Sequence, residues 1–138
     1  MIEIKGLTEF QKGLLELAQE KLPKESKQIM RKMGSKARTH VARKSRREIK
    51  KVSGNYQKSW KRGKLFIGRD GEIAIRVYNS ARHAHLIEDG HRVVVKGKEV
   101  GFSSGKHILE KGMNEFEEDQ MEEMLSDWLD DLLESGKL

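Results

Sequence analysis

The densest group of side chains that could do chemistry lies between residues 83 and 91. It contains three histidines and two carboxylates: His83, His85, Glu88, Asp89 and His91. Histidine and carboxylate are the ligands of zinc and of nuclease metals. However, a helical His-Glu-x-x-His arrangement is absent, and Gly90 interrupts the backbone. The spacing therefore favours exposed or partly packed polar residues in a connecting segment over a catalytic metal site.

Other catalytic classes lack their characteristic residues. The chain has no cysteine, which excludes thiol nucleophiles, disulfides and cysteine-ligated metal centres. It has no Gly-x-Ser-x-Gly, no Walker loop and no dinucleotide fingerprint, and no serine is placed at a strained turn beside a base. The sequence predicts a protein that is not an enzyme and that uses no metal and no cofactor.

A basic stretch supplies the second set of candidate residues. The possible contacts to DNA or to a protein partner are Arg38, Arg43, Lys44, Arg46, Arg47, Lys50 and Lys51. On a helix these side chains resemble a phosphate-binding stripe, and the aromatic Tyr56 and Trp60 follow. The alternative, which we favour, is a solvated helix face or a face that meets acidic helices of neighbouring copies. Arg43 to Arg47 offer no apolar face, so we expect this helix to extend beyond its core.

Charge is unevenly distributed along the 138 residues, whose net charge is +6. Residues 21–69 hold 18 Lys and Arg against two acids, a local net charge of +16, whereas residues 107–138 hold 11 acids against two lysines. Opposite poles favour pairing within the chain or contact between copies. No apolar run reaches the roughly 18 to 20 residues of a membrane span, and no signal peptide is evident, so we expect a soluble protein made in the cytoplasm.

Three helices are predicted from apolar spacing. A capping box at Thr8 and Gln11 begins a helix over about 8–21, and Pro23 begins a second whose stripe runs through Met30, Met33 and Val41. A final helix over about 106–134 has an apolar stripe of Leu109, Met113, Phe116, Met121, Met124, Leu125, Trp128, Leu132 and Leu133. The methionines suit a core or an adaptable interface.

The middle of the chain predicts a small antiparallel sheet. Strands over 65–68 and 73–78 flank Asp70-Gly71, a type I′ turn signal, and further strands follow over 92–96 and 100–102. The fold class is therefore α+β, with the sheet packed against the N-terminal helices and the C-terminal helix. We expect one domain over 1–138, made of a basic helical region over about 8–52, a sheet over about 63–103 and a helix over about 106–134.

The order of short motifs resembles a phage family. The residues that carry this resemblance are Ser53, Gly54, Ser59, Ala84, Glu88, Gly90 and Gly105. The chain is similar to the head–tail joining or tail-completion family of long-tailed bacteriophages, the gene-product-ten-like minor tail components. His83 stands where that family usually has Tyr, and His91 where it usually has Thr.

The resemblance implies a structural role without catalysis. It implies a virion component, assembled in the host cytoplasm, that forms a ring of commonly six copies between the head connector and the tail tube. A protein that lines a DNA passage would also give the basic stretch a use. The alternative from another class is a DNA-binding module that uses the basic helix over 38–51.

Overall fold

The computed structural model describes residues 8–51, 53–68 and 73–138. The helices in this part of the chain are α1 (Glu9–Lys21), α2 (Pro23–Glu48), α3 (Asn55–Lys58), α4 (Ala84–Asp89), α5 (Ile108–Phe116) and α6 (Glu122–Glu134). A π-helical turn (Glu117–Met121) joins α5 to α6. The strands are β1 (Trp60–Arg62), β2 (Phe66–Ile67), β3 (Ile73–Ala74), β4 (Val77–Asn79), β5 (Gly90–Val95) and β6 (Lys98–Ser104). The predicted α+β class is confirmed.

The beginnings of the first two helices are set by local sequence. Thr8 and Gln11 form the predicted capping box, in which the Gln11 amide donates to Thr8 Oγ1 at 3.1 Å and the Thr8 amide donates to Gln11 Oε1 at 3.0 Å. Pro23 occupies the first turn of α2, where its missing N–H costs no hydrogen bond. The Ser26 hydroxyl donates to the Ala18 carbonyl at 3.1 Å and ties α1 to α2.

The predicted hairpin is present and is longer than expected. In β2 and β3, Phe66 pairs with Ala74 and Ile67 with Ile73. After an interruption in the ladder, β1 pairs with β4 from Arg62–Val77 to Trp60–Asn79. The predicted strand over 73–78 is thus split into β3 and β4. Its predicted turn at Asp70-Gly71 lies outside the described residues.

The expectation of one sheet is wrong for the described residues, because the strands form three two-stranded ribbons. Among the described strands, β5 pairs with β6 alone, in antiparallel register from Gly90–Ser104 to Val95–Lys98 with a register shift between Val93 and Val94. Helix α4 separates this ribbon from the hairpin in the chain. The segment 79–90, expected as a connection, therefore contains a helix whose Ile87 packs into the core.

Two groups of buried side chains share α2 as their common wall. One group joins α1, α2, α5 and α6: Leu15, Ile29, Met30, Met33, Ala37, Phe116 and Leu125. The other joins α2, α3, β1 and α5: Val41, Ala42, Tyr56, Trp60 and Ile108. Val77 and Met113 pack against both groups. Helix α2 consequently contacts most of the other helices and the hairpin.

The predicted C-terminal helix is interrupted by the π turn. In a regular α-helix Phe116 and Leu125, nine residues apart, would lie two and a half turns apart on opposite sides. The π turn holds an additional residue and rotates α6, so that Phe116, Leu125, Leu129 and Leu132 are all buried. Leu133, which the sequence placed in the stripe, is exposed instead.

The end of α2 is packed, contrary to the expectation that it extends beyond the core. Ser45 is fully buried; its hydroxyl donates to the Ala42 carbonyl at 2.7 Å and accepts from Trp60 Nε1 at 3.0 Å. Lys44 is also buried, beside α5. Polar residues can lie on the buried side of a helix when each has a hydrogen-bonding or oppositely charged partner. A search for an apolar stripe does not detect such residues.

Candidate functional site

The residues of the family motif lie at two junctions of the fold. Ser53 and Gly54 precede α3, and the Asn55 amide donates to Ser53 Oγ at 3.3 Å. Ser59 follows α3, where its hydroxyl donates to the Asn55 carbonyl at 2.6 Å and its carbonyl accepts from the Ser80 amide at 2.9 Å. These contacts fix α3 to the base of the hairpin.

Glu88 forms the second junction by capping α5. Its Oε1 accepts from the Leu109 amide at 2.8 Å and its Oε2 from the Glu110 amide at 3.1 Å. The first amides of a helix have no partner within the helix and carry partial positive charge, so a carboxylate there is stabilising. Ala84 packs on the same side, against the group around Tyr56 and Trp60.

Gly90 and Gly105 allow the close approach of the segments that Glu88 joins. Gly90 has a φ of +92°, and a Cβ there would lie 2.7 Å from the Ser103 carbonyl oxygen. A Cβ on Gly105 would overlap the Glu88 carbonyl oxygen. Together Glu88, Gly90 and Gly105 hold α4, the β5–β6 ribbon and α5 close to one another.

The three histidines are not gathered into a metal site. His83 and His85 are exposed, and His91 Nδ1 lies 3.4 Å from the Leu86 carbonyl oxygen. Within the described ranges no group of three His, Asp or Glu side chains is close enough to hold a metal ion. Glu88, one of the two carboxylates of this group, accepts hydrogen bonds from amides of α5.

The basic residues are divided between a surface and the core. Arg43, Arg46, Arg47, Lys50 and Lys51 are exposed, and Arg38 is half-buried. Lys44 differs, because its Nζ contacts Glu48 Oε2 at 2.7 Å and Glu115 Oε1 at 2.8 Å. Lys44 is therefore buried in ion pairs, unlike the exposed members of the predicted contact set.

The ion pairs of Lys44 shift the titration of both partners. Hydrogen bonds to Glu115 and Glu48 raise the pKa of Lys44 against the opposing effect of burial. The hydrogen bond from Lys44 lowers the pKa of Glu115, again against burial. His40 Nε2 lies 3.8 Å from the same Glu115 oxygen. This cluster joins the basic α2 to the acidic α5 within one copy.

The aromatic residues that follow the basic stretch belong to the core. Tyr56 and Trp60 are buried and pack edge to face, with ring centroids 5.6 Å apart. Burial, and then the charge of Glu88, raise the pKa of Tyr56, so its hydroxyl stays protonated. Neither ring is available to stack on a base, which corrects the interpretation of these aromatics as part of a nucleic-acid surface.

A basic groove lies between α2 and the π turn. It encloses about 490 Å³ and is lined by Lys32, Ser35, Lys36, Thr39, His40, Arg43 and Gln120. As far as the structure describes this groove, its lining contains no carboxylate. Lys32 and Lys36 were not among the predicted contact residues, although they lie eleven and seven residues before Arg43, spacings close to whole helical turns that could have identified them.

Two apolar surfaces are also exposed. One is an open groove of about 420 Å³ between α2, the hairpin and the helical segment around the π turn, and four methionines line it: Met30, Met33, Met113 and Met121. The other is the β5–β6 ribbon, where Val94, Val95, Val100 and Phe102 are all more than half exposed.

The described surface thus carries a basic groove, an apolar groove and an exposed apolar ribbon. The sequence matches the family model described as "Bacteriophage HK97-gp10, putative tail-component" over residues 8–90, more than half of the chain. The chain therefore belongs to the HK97 gp10-like family of phage tail components. No curated protein and no solved structure matches it. None of the helices described is both long and apolar enough to cross a bilayer.

Proposed function

We propose that this chain joins the head connector to the tail tube as a ring of copies, without catalysis. The observation that carries the proposal is the match to a phage tail-component family over α1 to α4. The match ends at Gly90, beside the junction that Glu88 makes with α5. On this proposal the protein is assembled from the host cytoplasm into the virion.

The distribution of exposed charge supports contact between copies. Exposed residues of α2 include Lys32, Lys36 and Arg43, whereas the π turn and α6 expose Glu118 and Glu123. A ring requires head-to-tail contacts in which two different surfaces of one copy are complementary. Opposite charges exposed on different elements favour such contacts and would orient neighbouring copies.

Charge reversal on the acidic surface tests this proposal. We expect Glu118→Lys with Glu123→Lys to reduce the yield of joined particles by at least about tenfold, since like charges across an interface cost several kcal/mol. The matched control is Glu9→Lys with Glu20→Lys, which changes the charge equally on the exposed face of α1. The assay is complementation of a phage lacking the gene, followed by counting joined particles, free heads and free tails by electron microscopy. Equal yields from both variants contradict the proposal.

A second candidate function is contact with DNA phosphates, which the basic groove favours. Lys32, Lys36 and Arg43 converge on it with His40, and lysine and arginine supply the salt-dependent part of DNA affinity. This contact is compatible with a ring around a DNA passage and also with an independent DNA-binding module.

A salt series on duplex DNA separates those two possibilities. An independent module should bind duplex as a free protein, with an affinity that falls steeply with salt. Changing Lys32, Lys36 and Arg43 to Gln should then lower the slope of log affinity against log salt by about 0.9 for each lost phosphate contact. The control changes the exposed Lys21, Lys24 and Lys27 to Gln. A free protein without measurable duplex affinity favours the ring.

A further inference from the structure

The β5–β6 ribbon exposes apolar side chains on both of its faces. Residues alternate between faces along a strand, so Val94 and Val95 of β5 lie on opposite faces, and the pairing with β6 shifts register between Val93 and Val94. All three are at least one-third exposed, and Val94 and Phe102 are about 60% exposed. A two-stranded ribbon on its own is marginally stable in water, and exposed apolar patches of this kind mark interaction sites.

The ribbon is anchored firmly at one end only. At its base Gly90 lies against Ser103 and Gly105, and the Glu88 cap holds the adjoining α4 and α5 together. Strands of six residues or more extend about 20 Å from this anchor at about 3.3 Å per residue. The ribbon therefore projects from this anchor, with Lys96 and Lys98 at its tip.

The methionine-lined groove is apolar, like the exposed side chains of the ribbon. Its walls are Met30, Met33, Met113, Met121 and Phe116, and methionine adapts its shape to different partners. Its volume of about 420 Å³ is typical of binding pockets, which range over about 300 to 1,000 Å³. No residue of β5 or β6 is among the described residues that line it.

Charge favours the same pairing. Arg92, Lys96 and Lys98 make the ribbon basic, with Glu99 as its one acid. Glu117 lies in the lining of the groove, and Glu118 and Glu122 follow it in the chain. The ribbon is apolar and basic, and the groove is apolar with acidic residues along one side. The two surfaces are therefore complementary in hydrophobicity and in charge.

We propose that the β5–β6 ribbon of one copy inserts Val94 and Phe102 into the methionine-lined groove of a second copy. The two cross-strand positions Arg92–Phe102 and Val94–Glu99 share one face of the ribbon, so the two apolar side chains enter together. The contact uses different surfaces of the two copies and is therefore head-to-tail, as a closed ring requires. The inference rests on the proposed function, whose ring it specifies.

Disulfide cross-linking tests the contact directly, because the natural chain has no cysteine. A Phe102→Cys copy is mixed with a Met121→Cys copy at equal concentration under mild oxidation. The control mixture replaces the second partner by Phe10→Cys, since Phe10 is an aromatic residue that is 69% exposed on α1. We expect the groove pair to cross-link at least about tenfold faster than the control, as a preformed contact raises the effective concentration of the thiols.

A charge exchange provides the second measurement. Lys96→Glu with Lys98→Glu should weaken self-association, Glu117→Lys with Glu118→Lys should do the same, and mixing the two variants should restore it. Melting curves of each variant, unchanged from the wild type, show that the fold is intact. Cross-linking no faster than the control, or no restoration on mixing, overturns the ribbon contact. Should it fail while the chain is still found in virions at the head–tail junction, the proposed function stands without it.

Discussion

Replacing Glu88 by Ala should destabilise the fold, although Glu88 is not a core residue. The change removes both acceptors from the Leu109 and Glu110 amides, which lie 2.8 and 3.1 Å from the carboxylate oxygens. Hydrogen bonds to charged groups contribute about 1.5 to 3 kcal/mol each, and loss of a helix cap costs about 0.5 to 2 kcal/mol. The Glu110 amide is exposed and can bond to water, so we expect a loss of about 2 kcal/mol in total.

The assay is urea and thermal unfolding followed by circular dichroism at 222 nm. For a domain of this size a loss of about 2 kcal/mol lowers Tm by about 6 to 8 °C. Glu88→Gln, which keeps one acceptor oxygen and loses the charge, should fall about midway. The matched control is Asp89→Ala, an exposed neighbour that should change stability by less than about 0.5 kcal/mol. If Glu88→Ala and Asp89→Ala unfold alike, the capping argument is refuted.

Three further predictions concern the core and its charges. Ser45→Ala should cost about 1 to 2 kcal/mol in urea unfolding, because the buried Trp60 Nε1–H loses its acceptor; unchanged stability contradicts this. Phe116→Ala should cost about 3 to 5 kcal/mol by the cavity it leaves, whereas the exposed Phe10→Ala should cost almost nothing. Because the Lys44 ion pair lowers the pKa of Glu115, that pair stabilises the fold above the ordinary glutamate pKa and is lost as pH falls through the lowered value. The stability of Glu115→Gln should therefore depend less on pH in the acid range than that of the wild type, and parallel acid denaturation curves would contradict this.

Elements governed by local sequence were predictable. The capping box at Thr8 and the proline at Pro23 predicted the starts of α1 and α2, and the strand 92–96 followed by a turn at Gly97 predicted the β5–β6 ribbon. The π turn was not predicted, although the five-residue step from Phe116 to Met121 in the apolar stripe matches its i→i+5 spacing. The pairing of β1 with β4 was missed because it is set by the buried Trp60 and not by a local alternation.

The candidate site could be predicted only for exposed side chains whose position does not depend on a partner distant in the sequence. The exposed Arg43 and Arg47 were recognisable from composition and spacing. Lys44 was not separable from them, because its burial depends on Glu115, which lies 71 residues further along the chain. The roles of Glu88 and Gly105 likewise depend on packing between α4 and the start of α5. These segments are distant in the chain, and periodicity within either one does not reveal their contact.

The position of the chain in the particle decides whether it joins the head to the tail. Particles are purified from the phage or prophage whose genome carries this chain, bound to an antibody fragment against α1, and imaged by cryo-electron microscopy. We expect a single ring of fragment density between the head connector and the tail tube, with the chain present at a low fixed copy number. Fragment density distributed along the tail tube, or purified particles that lack the chain, would contradict it.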